Sequence, residues 1–66
     1  MNDVWIRIRK ITSDDETMFE AGCDLFPDAA VFEGSANEAY DNMRALIPEL
    51  VDHYIETHGH APWRLP

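Results

Sequence analysis

Basic residues are scarce in this 66-residue chain, where five Lys and Arg stand against 13 Asp and Glu for a formal net charge of −8. A field of that sign repels phosphates, so direct nucleic-acid binding is disfavoured and basic protein surfaces are the expected partners. A single cysteine, Cys23, excludes an internal disulfide and fits a reducing compartment. The opening residues Met1-Asn2-Asp3-Val4 are acidic at once and lead into no long apolar run, so neither a signal peptide nor a membrane span is expected. The expected location is the cytoplasm, that of the host if the chain is phage-encoded. With only three glycines there is no Gly-rich phosphate cradle, and no serine hydrolase signature is present.

What is present is one domain's worth of chain, residues 1–66, with ordinary globular proportions: 45% hydrophobic and 27% charged residues. A domain this small buries only about 60% of its unfolded surface, so added support from a partner or a second copy is expected. Charge is unevenly placed. Arg7, Arg9 and Lys10 outnumber Asp3 in the first ten residues. Residues 11–43 then carry Asp14, Asp15, Glu16, Glu20, Asp24, Asp28, Glu33, Glu38 and Asp41 with no Lys or Arg.

Residues 4–11 alternate, with Val4, Ile6 and Ile8 on one face and Trp5, Arg7 and Arg9 on the other, which predicts a half-buried strand. Residues 12–16 have turn chemistry. Residues 17–25 predict a second strand in an antiparallel hairpin, with Phe19, Ala21, Cys23 and Leu25 inward and Met18, Glu20, Gly22 and Asp24 outward. Pro27-Asp28 is read as the next turn and residues 29–33 as a third strand. Ser35-Ala36-Asn37-Glu38 is a capping box. It opens an apolar stripe of Ala36, Ala39, Tyr40, Met43, Leu46, Ile47, Leu50, Val51 and Tyr54, one face of a helix ended by Gly59. Pro48 falls inside the stripe without breaking its phase, so one kinked helix is expected. Residues 60–66 supply at most a short fourth strand. The expected fold is α+β, a two-layer β-β-β-α sandwich with an antiparallel three-stranded sheet on one helix. Its open face would carry Trp5, Arg7, Arg9, Met18 and Val31.

The run Cys23-Asp24-Leu25-Phe26-Pro27-Asp28, the glycine before a capped helix in Phe32-Glu33-Gly34-Ser35-Ala36-Asn37-Glu38-Ala39, and Ala45-Leu46-Ile47-Pro48-Glu49-Leu50 together resemble the HicB-like antitoxin fold, especially short HicB-related domains lacking the DNA-binding C-terminal part. Asp28 stands where that family often has Gly. The resemblance implies a module that neutralises a small RNA-cleaving toxin by direct contact, without operator binding. In size, acidity and lack of catalytic motifs the chain is also similar to small phage inhibitors that imitate nucleic acid, anti-CRISPR proteins among them.

Catalytic and metal chemistry find little footing. Cys23 is on the expected core face beside Asp24, the reverse of the electropositive setting of a reactive thiol. His53 and His58 are five apart and do not share a helical face, and His58-Gly59-His60 lacks the three or four converging ligands zinc needs. Asp14-Asp15-Glu16 is too short for a calcium loop. The expectation is therefore a non-enzymatic inhibitor with no cofactor and no metal. Its contact set would be Asp14, Asp15 and Glu16 at the hairpin tip, extended along the sheet edge by Glu20, Asp24, Asp28 and Glu33. The partner would be a basic protein, a toxin nuclease or a CRISPR effector subunit. A second class is a self-associating structural or regulatory domain, monomer or weak homodimer, that uses Trp5, Arg7 and Met18 on the open sheet face.

Overall fold

The computed structural model describes residues 5–64. Strands β1 (Ile6–Ser13), β2 (Glu16–Cys23) and β3 (Phe26–Glu33) are followed by helix α1 (Ala36–His58). The sheet is antiparallel in the order β1-β2-β3, and the helix packs on one of its faces. The α+β architecture expected from the sequence is the one observed. Val4, expected to point inward, lies outside the described residues. Residues 60–64 form no strand, so the optional fourth strand is absent from the described part of the tail; its two prolines and Gly59 leave few amides in series for a ladder.

The first turn is tighter than the sequence suggested. Ser13 pairs with Glu16, so Asp14 and Asp15 alone make the reversal, with φ of 47° and 67°. Two residues at positive φ are the signature of a type I′ hairpin, whose twist matches that of the strands. Aspartate tolerates this region better than most side chains, yet less well than Asn-Gly. Replacing Asp14-Asp15 by Asn-Gly should stabilise the domain by about 0.5–1 kcal/mol, a rise of roughly 2–8 °C in Tm for a chain of this size. Thermal melts followed by circular dichroism check this, and a fall in Tm would contradict the turn assignment.

The second turn departs further from expectation. It falls at Asp24-Leu25, so Leu25 is a half-buried turn residue and not a strand residue, while Pro27 and Asp28 lie within β3. Cys23 pairs with Phe26 and Gly22 with Ala30. Pro27, Asp28 and Ala29 therefore bulge from the ladder, which an edge strand allows because its outer amides need no partner. The bulge sets the phase of the rest of β3. Val31, expected on the open face, instead registers with Ala21 and packs on the core, and Phe32 takes the outward position beside Glu20.

Helix α1 starts as its capping residues dictate. The Glu38 amide donates to Ser35 Oγ at 3.2 Å, and that hydroxyl donates to Glu38 Oε1 at 3.1 Å. The Glu38 carboxylate, which in a capping box reaches back to the N-cap amide, here bonds the Ser35 hydroxyl. Pro48 sits within one continuous helix. Arg44, whose carbonyl loses its amide partner, and Pro48 are both exposed, so water can serve that carbonyl. Gly59, at φ 80°, ends the helix in the left-handed region and donates to the Ile55 carbonyl at 2.8 Å.

The fully buried core is thin: Ala21, Cys23, Ala39 and Met43. Ile6, Phe19, Phe26, Val31, Leu46, Ile47 and Leu50 surround it half-buried. Because Glu33 pairs with Phe19, the β1–β2 ribbon runs on past the end of β3, and every residue from Thr12 to Met18 is exposed. The result is an elongated body of 46 × 19 × 15 Å.

Candidate functional site: an anionic face and a neutral face

The structure divides the acidic residues singled out by the sequence. Asp14, Asp15 and Glu16 sit together at the projecting hairpin tip, all exposed. Asp24 lies in the turn at the opposite end of β2, about 25 Å away at strand rise. Glu20 is in the central strand and faces the open side, where its Oε1 accepts from Arg9 Nη2 at 2.9 Å. Asp24 Oδ1 accepts from Arg7 Nε at 3.0 Å. Glu33, in phase with the helix side, accepts from Asn42 Nδ2 at 2.7 Å. Asp28 is exposed in the β3 bulge. The continuous line of carboxylates expected along a sheet edge is therefore not formed: strand alternation sends Glu20 and Glu33 to opposite faces, and the hairpin separates the tip from Asp24.

The larger anionic feature is on the helix. Glu38, Asp41, Glu49, Asp52 and Glu56 are all exposed. At 100° per residue they fall within an arc of about 80°, opposite Ala39 and Met43, and at 1.5 Å per residue they span about 27 Å. This ridge was legible in the spacing, since it is the complement of the apolar stripe. The tip lies beyond the end of the sheet at which the helix begins, because β3 hands over to α1 there. The tip and the Glu38 end of the ridge thus lie toward the same end of the molecule, with Glu49, Asp52 and Glu56 farther along the helix.

The open sheet face has another character. Arg7 and Arg9 on β1, Glu20 on β2 and Asp24 in the turn balance in charge through their two ion pairs. Among them stand apolar side chains: Ile11 paired with Met18, and Phe32 at 49% exposure; Trp5, just before β1, is 79% exposed. The Arg7–Asp24 pair is largely in water, and the Arg9–Glu20 pair is open on its arginine side while Glu20 is half-buried, so each is a solvent-screened pair worth about 1 kcal/mol or less. Of Trp5, Arg7 and Met18, expected together from the sequence, Arg7 and Met18 are placed on this side by strand alternation, and Trp5 precedes the strand.

The groups with chemical potential are placed as follows. Cys23 is fully buried. Tyr54 stacks on His58 with ring centroids 3.9 Å apart, and His60 meets the same tyrosine edge-on at 5.7 Å. His58 Nδ1 lies 3.1 Å from the Tyr54 carbonyl, and His60 Nδ1 lies 2.9 Å from that of Ala61, so each ring is oriented by a backbone oxygen. Among the described residues no three His, Cys, Asp or Glu side chains converge as a metal site requires. Phe26 also meets Tyr54, at 6.2 Å, and this aromatic cluster pins the overhanging end of the helix to the start of β3. A buried thiol gives a direct check: Cys23 should resist a thiol reagent in native buffer and react promptly in denaturant. Cys23→Ala should cost roughly 1 kcal/mol of stability and leave partner binding unchanged; lost binding in a folded variant would give the thiol a role.

No helix among the described residues is long and apolar enough to cross a membrane. No family model, no curated protein and no solved structure matches this chain.

Proposed function

We propose that this chain is a non-enzymatic binding module that inhibits by occupancy, laying its anionic surface over a basic nucleic-acid-binding or active-site surface of a partner protein. The observation that carries this reading is the helix ridge from Glu38 to Glu56, exposed over about 27 Å, with the Asp14-Asp15-Glu16 tip beyond its starting end. A row of carboxylates of that length is suited to a surface built for a phosphate backbone. Glu20 and Asp24, tied to arginines of the same chain, contribute less than the tip and the ridge. The resemblance to HicB-like antitoxins makes a HicA-like RNA-cleaving toxin the first partner to try, and a nucleic-acid-binding CRISPR effector subunit the second. Such a partner sets the place of action in the cytoplasm.

The test is inhibition by the purified chain. RNA cleavage by a HicA-like toxin, and separately DNA binding by a CRISPR effector, are titrated with it at about 50 mM and about 500 mM salt. Stoichiometric inhibition of one of them that weakens at the higher salt supports the reading. No inhibition of either at low salt removes it.

A further inference from the structure

We infer that the open sheet face is an interface for a second copy of this chain, formed back to back so that both helix ridges point outward. Charge supports this choice of occupant. The chain carries a net charge of −8, so two copies repel wherever their acidic ridges or tips approach. The sheet face is the surface where that repulsion is weakest, because Arg7 and Arg9 offset Asp24 and Glu20 on it, which leaves Glu16, in register with Ser13 at the tip end, as its unbalanced carboxylate. It is also self-complementary, with a basic row on β1 beside an acidic residue on β2. About a two-fold axis between β1 and β2, Arg9 of each copy faces Glu20 of the other, and Ile11 faces Met18. A basic partner has no comparable reason to choose this face, since its attraction is to the ridge and tip.

The size of the face sets the strength. Three strands of eight residues give a footprint of roughly 26 by 14 Å, or about 370 Å² per copy. This is below the ~800 Å² per partner of a standard stable interface. The dimer is therefore weak, and its population depends on chain concentration. Salt gives it a signature opposite to that of the inhibitory contact: screening relieves the repulsion between two anionic chains, so association holds or tightens as salt rises.

Sedimentation of the full chain from about 5 μM to about 1 mM, at low and high salt, tests this. The expected result is a mass that rises from 7.6 kDa toward twice that value, no less at high salt. Met18→Asp should raise the dissociation constant at least about tenfold, with an unchanged circular dichroism spectrum. Arg9→Glu should weaken association, and adding Glu20→Arg to it should restore association by remaking the pair with reversed sign. In a Trp63→Phe background the emission of Trp5 should shift to the blue as copies associate. A chain that stays at its monomer mass at about 1 mM overturns the inference. So does a dimer that neither Met18→Asp nor Arg9→Glu weakens.

Discussion

Loss of inhibition by at least about a hundredfold is the expected result of rewriting the anionic surface at both its parts. At the ridge the changes are Glu49→Lys, Asp52→Lys and Glu56→Lys. At the tip they are Asp14→Asn, Asp15→Gly and Glu16→Lys. The choice at the tip reflects backbone geometry: lysine at positions 14 and 15 would sit at positive φ, whereas Asn-Gly suits a type I′ turn. The ridge changes are equally benign to the fold. All three positions are exposed on the helix, lysine is as good a helix former as glutamate, and positive charge near the last turn complements the helix dipole. Binding is thus removed from a protein at least as stable as the parent, which a melt verifies directly. Each half is also made alone, and each should lower affinity by about tenfold or more, mostly through a slower association rate at low salt. Undiminished inhibition by the sixfold variant would mean that the carboxylates serve solubility and that the contact lies elsewhere. A loss confined to the ridge half would assign the contact to the helix and leave the tip as a turn only.

Much of the fold is legible in the sequence because its signals are periodic. Ile6 and Ile8 alternate with Arg7 and Arg9, and the pairing of Ile6 with Cys23 and Ile8 with Ala21 obeys that alternation. The helix from Ser35 to Gly59 is declared at both ends by its caps, and the apolar stripe carries it across Pro48. Sequence and structure part where a local signal meets a ladder that can absorb it. Pro27 reads as a turn, but an edge strand tolerates it, and the bulge beside it reverses the facing of Val31 and Phe32. Thr12, Ser13 and Glu16 read as turn residues, but a two-residue reversal leaves them to the strands. The candidate site is harder to read because charge counted along the chain is not charge on the fold. Residues 11–43 lack Lys and Arg, yet the arginines of β1 return to Glu20 and Asp24 across the hairpin. The ridge residues Glu49, Asp52 and Glu56 fall outside that segment, although their spacing of three and four residues is the same signal that reveals the apolar face.

Met43→Ala should leave the isolated chain largely unfolded near room temperature. Met43 is the largest fully buried side chain, and its fully buried companions Ala21, Cys23 and Ala39 are small. They cannot move in to fill the space, so the loss combines transfer and cavity terms and falls in the range of about 2–5 kcal/mol. A single core in a domain of this length supplies only about 3–5 kcal/mol of net stability. The two figures overlap, so one substitution can consume the whole margin. Met43→Leu, which conserves volume, should cost less than about 1.5 kcal/mol. Tyr40→Ala, one position outside the buried row at 42% exposure, should cost less than Met43→Ala. Circular dichroism melts order the three variants, and a cooperative Met43→Ala melt within a few degrees of the parent would show that the core lies elsewhere. The same variant also connects stability to binding. A ligand that engages only the folded state adds RT ln(1 + [L]/Kd), about 2.7 kcal/mol at a hundredfold excess over Kd. A basic partner held by the ridge and tip should therefore restore helical signal to Met43→Ala, and it should fail to do so when the ridge bears lysines. A thin core fits a domain that completes its stability on a partner, and this pair of variants separates the energy of the fold from that of the contact.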